Sequence, residues 1–160
     1  MADRFVLDMT VGKLAKWLRA LGFDTVVYSK RDLHRLVQLS GRENRVIVTR
    51  NRQLEAKVFL GNILILKESE VDRQIAAVIR AMRIPVVSER FLSRCLQCNE
   101  LLESVPRGQV EGKVPEFVFH AHEAFHRCPS CQKIYWEGTH PTNMKRRIEE
   151  ILRSTEETRL

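Results

Sequence analysis

Four cysteines set the hardest constraint on how this chain can fold. They read Cys95-Leu96-Gln97-Cys98 and, after twenty-nine residues, Cys128-Pro129-Ser130-Cys131, and no cysteine lies elsewhere. Each Cys-x-x-Cys puts two thiolates on one tight turn, so two such turns offer four sulfurs to a tetrahedral ion at bond lengths of about 2.3 Å. A sulfur-only site of this kind suits zinc, with iron as the substitute. Four protein ligands leave no position for water, so Cys95, Cys98, Cys128 and Cys131 are expected to hold a structural zinc that stabilises the fold and does no chemistry. A redox Cys-x-x-Cys normally stands alone beside a βαβ unit, whereas these two bracket Pro106, Gly108, Gly112 and Pro115 as the knuckles of a zinc ribbon do.

Inside that module His122-Glu123-Ala124-Phe125-His126 matches the H-E-x-x-H metalloprotease signature. The chemistry needs both histidines on one helix face and a third ligand. Here the stretch runs straight into Cys128, and Val118, His120 and His122 alternate as a ribbon strand would, so the protease reading is set aside.

Upstream, the pattern alternates between short apolar runs and helical spacing. Phe5-Val6-Leu7 reads as a strand, ended by Asp8, and Val11, Leu14, Leu18 and Leu21 form the stripe of a helix closed by Gly22. Thr25–Tyr28 is a second strand, Leu33, Leu36 and Val37 mark a helix closing at Gly41, and Arg45–Thr49 and Ile63–Leu66 are further strands. Ser69 with Asp72 reads as a capping box opening a long helix lined by Val71, Ile75, Val78, Ile79 and Met82. Continuous apolar strands between amphipathic helices predict an α/β fold with a parallel sheet covered on both faces. Residues 1–90 are expected to form that domain, 91–140 the ribbon, and 141–160 a helix or tail. Met144, Ile148, Ile151 and Leu152 give the last segment one apolar face, able to pack back on the chain or to pair with a protein partner or a second copy.

Charge narrows the class of partner. The 160 residues carry a formal charge of +7, spread along the chain, which favours polyanions and nucleic acid above all. No run approaches the length of a membrane span, and Asp3 and Asp8 stand where a signal peptide would begin basic, so a cytoplasmic protein with no membrane partner is expected. In a parallel α/β sheet, ligands sit beyond the carboxyl ends of the strands. That edge collects Asp8, Thr49, Arg50, Asn51 and the segment from Glu68 to Asp72, with Asp32 opening the second helix. Acids gathered on a basic protein can hold Mg²⁺ or Mn²⁺ against a phosphodiester. Helix caps and first turns also favour Asp, so Asp8, Asp32 and Asp72 have plain structural readings as well.

Several segments, in order, resemble a known family: Phe5–Met9 with Gly12–Arg19, Leu21–Thr25, Arg45–Arg50, Arg94–Asn99, Cys128–Cys131 and Tyr135–His140. Together they are similar to the PIN-like ribonuclease domain found at the C-terminus of the mut-seven exonuclease and as a stand-alone prokaryotic protein. The resemblance spans roughly residues 4 to 145. It implies a PIN-like α/β domain whose carboxylates bind divalent metal for RNA cleavage, followed by a zinc ribbon. Asp8 matches the first-strand acid and Asp32 the acid opening the second helix. The family pattern Thr-Arg-Asp-Arg is here Thr49-Arg50-Asn51-Arg52, so a neutral amide replaces a charged ligand. This reads as an introduced substitution, a natural variant with weakened catalysis, or a domain turned RNA-binding module.

The expectation is therefore a metal-dependent ribonuclease with Asp8, Asp32, Asn51 and Asp72 at the catalytic centre, Mg²⁺ or Mn²⁺ as catalytic ion, and Lys13, Arg19 and Arg50 steering the RNA. The alternative is a non-catalytic RNA- or ribonucleoprotein-binding module. Tyr135 and Trp136 are expected to pack the ribbon against the α/β domain rather than to stack bases.

Overall fold

The computed structural model describes residues 4–60 and 62–157. Strands β1 (Arg4–Asp8), β2 (Asp24–Tyr28), β3 (Val46–Thr49) and β4 (Ile63–Ile65) form a parallel sheet in the order β2-β1-β3-β4. Helices α1 (Leu14–Ala20), α2 (Leu33–Glu43) and α3 (Val71–Met82) connect or follow them. The order reverses between β1 and β3: the chain leaves β1 toward β2 on one side and returns past it to β3 on the other. A crevice opens beyond the strand ends at such a reversal.

Alternate strand residues feed two cores. Phe5, Leu7, Val46 and Val48 meet α1 and α3 through Leu14, Leu18, Ile75 and Val78. Val6 and Ile47 face the other way, against Leu36 of α2 and Leu54 of the 3-10 segment Arg52–Leu60. Continuing the alternation puts Asp8 and Thr49 on this second face.

Helix α1 ends at Leu21 in a Schellman motif: Gly22 N–H donates to Arg19 O at 2.9 Å and Phe23 N–H to Leu18 O at 2.9 Å. Gly22 has φ +89°, and a Cβ there would lie 2.6 Å from the Arg90 carbonyl oxygen, so glycine serves both the turn and the close approach. Two expected helix signals do not hold. Helix α2 runs past Gly41 to Glu43 and is closed by Asn44 in the left-handed region, since a lone glycine does not end a helix whose apolar face is still buried. No capping box forms between Ser69 and Asp72; Glu70 precedes α3 without a side-chain cap, and the Gln74 amide instead donates to the carbonyls of Glu68 and Ser69.

The ribbon is a three-stranded antiparallel sheet of β5 (Glu103–Val105), β6 (Phe125–Arg127) and β7 (Ile134–Trp136), around a small core of Val105, Val110, Val118 and Phe125. Residues 118–122, expected in a strand, lie instead in and just after the short helix α4 (Glu116–Ala121). Val118 is its one buried residue, and Phe119 sits beside it with the Arg107 guanidinium over its ring, 4.6 Å from the centroid. His122 caps the end of α4 while His126 lies exposed on β6, so the H-E-x-x-H residues never share a helix face.

Beyond the ribbon, α5 (Thr139–Glu157) returns to the first domain. Met144, Ile148 and Ile151 are buried in the same core as Phe5 and Leu14, and α5 packs along α3. The amphipathic face therefore packs back on its own chain. Among the described residues no helix is long and apolar enough to cross a membrane.

Candidate active site and metal centre

Asp8, the last residue of β1, is 7% exposed and sits in register with Tyr28 of β2, with Thr49 ending the strand on its other side. Its Oδ1 accepts from Thr10 N–H at 3.0 Å and, in a short bond, from the Thr10 hydroxyl. Its Oδ2 accepts from the Thr49 hydroxyl at 2.5 Å. The two hydroxyls in turn accept from the backbone, Thr10 Oγ1 from Arg50 N–H at 2.9 Å and Thr49 Oγ1 from Asn51 N–H at 2.8 Å. Each threonine thus passes one proton forward and takes one from behind, which locks the carboxylate against the loop after β3. A carboxylate has about four acceptor positions, so Oδ2 retains one for a ligand in the crevice.

Asn51 belongs to this ring through its backbone, while its side-chain Oδ1 accepts from Gln53 N–H at 3.0 Å and starts the 3-10 segment. Asp32 lies on the same sheet face, at the N-terminus of α2, where Oδ1 accepts from Arg35 N–H at 3.0 Å and Oδ2 pairs with Arg35 at 3.4 Å. Asp72 is placed elsewhere. It lies on the α3 side of the sheet and is held by Arg147 of α5 at 2.7 Å, whose guanidinium also stacks on Trp17 with 4.7 Å to the ring centroid. Sequence alone put it near Asp8 because α3 begins at the same strand edge, but the helix turns it to the opposite face.

Among the basic candidates, Lys13 stands exposed where α1 begins and Arg50 is exposed beside the Asp8 ring. Arg19 faces the far end of α1. Its Nε donates to Thr25 O at 2.9 Å and one terminal nitrogen to the carbonyls of Leu96 and Gln97 at 2.9 and 3.0 Å. It is an anchor for the first Cys-x-x-Cys knuckle.

The four cysteine sulfurs lie within 4.8 Å of one another, and no other group of three or more His, Cys, Asp or Glu ligand atoms gathers this way among the described residues. Cys95 Sγ and Cys131 Sγ are 3.8 Å apart, the edge of a tetrahedron with bonds of about 2.3 Å to its centre. The two knuckles repeat one design. Cys98 N–H donates to Cys95 Sγ at 3.3 Å and Cys131 N–H to Cys128 Sγ at 3.5 Å, and Asn99 and Gln132 take positive φ at matching places. The Cys95 thiol is pushed up by burial, but donation from the Tyr135 hydroxyl and from the Cys98 and Gln97 backbone outweighs this and brings it down to about 6. Cys98 is pushed up to about 12 by its bond with Cys131, by burial and by the charge at Cys95. Thiolate charge at one sulfur raises its neighbours, and a cation among the four sulfurs favours their ionised form. The donor set is compatible with zinc.

A second network, which the sequence reading missed, joins this knuckle to the N-terminal edge of the parallel sheet. Arg45 is 4% exposed, and its guanidinium donates to Asp24 Oδ1 at 2.7 Å and to Glu43 Oε2 at 2.7 Å. Asn99 Nδ2 donates to the same Asp24 oxygen at 2.7 Å while Asn99 Oδ1 accepts from Thr25 N–H at 2.8 Å. Arg94 spans Gly22 O and Asn99 O. Buried Arg45 and the hydrogen bonds of Asn99 and Arg4 hold Asp24 at about 2, overcoming the burial that pushes it the other way. The available signal was a charged residue just before or at the head of each of three adjacent strands: Arg4, Asp24 and Arg45.

Compared with known proteins, residues 3–148 match the family described as Mut7-C RNAse domain. No curated protein and no solved structure matches the chain.

Proposed function

Because the chain belongs to the Mut7-C RNAse domain family, we propose that it hydrolyses RNA phosphodiester bonds at the crevice holding Asp8, with a divalent cation. The observation that carries this reading is the Asp8 carboxylate, oriented by Thr10 and Thr49 at the point where the strand order reverses. Mg²⁺ keeps much of its water and needs only one or two carboxylates, so Asp8 with Asp32 on the same face is a donor set of suitable chemistry, joined by the Asn51 amide. When bound, such an ion supplies an acidified water and a counter-charge for the phosphoryl oxygens. Thr10 and Thr49 fix the carboxylate so that little reorganisation is needed when charge develops. Lys13, exposed where α1 begins, and Arg50, whose exposed side chain leaves the Asp8 ring, hold the phosphates of the strand. Zinc at the four cysteines has a separate role and stabilises the ribbon.

A second reading, a non-catalytic RNA-binding module, is favoured by two observations: Asn51 contributes no charge, and among the described residues no group of three or more acidic or other ligand side chains gathers at Asp8. Cleavage of single-stranded RNA with Mn²⁺ separates the two. The ribonuclease reading expects slow cutting by the protein, a gain of about tenfold or more in Asn51→Asp as a charged ligand is restored, and loss of cutting in Asp8→Asn. RNA bound but never cut, even by Asn51→Asp, establishes the binding module instead.

A further inference from the structure

The ribbon, the start of α5 and the exposed side of α1 enclose a cleft of about 800 Å³ that is neither the Asp8 crevice nor the cysteine site. Its lining is mostly apolar, with Phe91 and Met144 among the residues. Three lysines from three different elements converge on it: Lys16 of α1, Lys133 of the second knuckle and Lys145 of α5. Two carboxylates, Glu89 and Glu137, also line it, and among the described residues the one ion pair within these five groups is a loose, exposed Lys145–Glu137 contact at 3.9 Å. Trp136 packs on the ribbon core and also lines the cleft. A Cβ at Gly138 would sit 3.1 Å from its Nε1, so any side chain there would crowd the indole edge.

A volume of this size falls in the range of roughly 300–1,000 Å³ typical of small-ligand sites, which is room for unpaired nucleotides. Lysines from three elements among apolar and aromatic lining residues, with the Lys133 ammonium 5.6 Å from the Tyr135 ring centroid, match a polyanion with stackable bases. An apolar peptide would gain nothing from the lysines.

We propose that this cleft seats unpaired nucleotides of a single-stranded RNA, a base lying against Trp136 and phosphates on Lys16, Lys133 and Lys145. The proposal takes its substrate from the ribonuclease reading above. Lys16 lies about one helical turn from Lys13, so the exposed side of α1 leads from the cleft toward the Asp8 crevice, and the cleft holds a strand at a distance from the bond that is cut.

The test uses the full zinc-loaded chain with Asp8→Asn, which allows binding without cutting, and Trp17→Phe, which leaves Trp136 as the one indole. Titration with oligouridylate is expected to quench Trp136 emission. Lys16→Gln with Lys133→Gln is expected to weaken binding about tenfold and to reduce the slope of log K against log salt by about 1.4, at about 0.7 per lysine on a single strand. Should that pair lose zinc, Lys145→Gln alone carries the test with a slope change of about 0.7. If the parent protein binds and cuts RNA while Trp136 of the Asp8→Asn, Trp17→Phe chain stays silent and the lysine variants keep affinity and slope, the strand lies elsewhere or another kind of molecule fills the cleft, and this inference falls with the ribonuclease reading intact. If the parent protein neither binds nor cuts RNA, the ribonuclease reading itself fails.

Discussion

Asp24 illustrates how one side chain can bind two parts of this protein. It accepts from Arg45 and Arg4 of the sheet edge and from Asn99 of the first knuckle at once. Its carboxyl is held at about 2 in the fold against an ordinary value near 3.8, so it binds its proton less readily folded than unfolded. The stability this contributes is present above about pH 4 and is lost as pH falls from there toward 2, an amount of about 1–2 kcal/mol after allowance for partial exposure. Urea unfolding between pH 2 and 6 should show that slope in the parent and a flatter curve in Asp24→Asn. Asp24→Ala should cost about 3 kcal/mol at neutral pH, because buried Arg45 loses its main partner. At this scale the sequence was uneven in what it revealed. The cysteines could be read outright because their spacing carries the geometry of the ion. Asp8 was marked by its place at the end of an apolar run. The threonines that aim it were harder to see: a hydroxyl's role depends on where two distant strands bring it, and Thr10 and Thr49 meet only because β1 and β3 are neighbours.

Among the elements, those with a strong apolar period followed directly from the residues. Strands β1 and β3 and helices α1 and α3 bury apolar faces that the spacing already declares, and β2 and β4 pack partly buried apolar residues beside them. The ribbon did not follow in the same way. Val118, His120 and His122 alternate over a stretch too short for period two to be told from a short helix, and α4 buries Val118 just as a strand would. Helix α5 had a clear stripe but no declared partner, since an apolar face states that it is covered and not by what. It is covered by α3 and the main core. Ile148, 1% exposed, should therefore behave as a core residue despite lying beyond the ribbon. Ile148→Ala is expected to destabilise the protein by about 3 kcal/mol, measured as a lowered midpoint in thermal or urea unfolding with zinc content unchanged. A loss confined to zinc would mean that α5 serves the ribbon alone.

For the molecule as a whole, the cysteine cluster and the core place different demands on the chain. Removing zinc with a chelator is expected to lower the melting temperature and to disorder the ribbon strands, seen as loss of β5–β7 amide protection, with one ion released per chain. Cobalt in its place should show the absorption of tetrahedral thiolate coordination. Because Arg19, Arg94 and Asn99 tie the first knuckle to the sheet edge, the change should extend to amides around Gly22 and Thr25. Sequence alone divides the chain into three consecutive blocks, but the main core is built from residues on both sides of the ribbon, from Phe5 through Ile84 and again from Met144 through Ile151. Composition marks where a segment changes character and cannot show that a later segment rejoins an earlier one. The return of α5 also sets an order of events during synthesis. Domains fold as their residues emerge, yet here the core lacks a wall until α5 has left the ribosome, after both knuckles. The ribbon can therefore capture its ion while the sheet domain is still incomplete. A nascent chain halted anywhere before α5 would carry Asp8 on an unfinished scaffold, and the activity proposed there would then wait until α5 has docked.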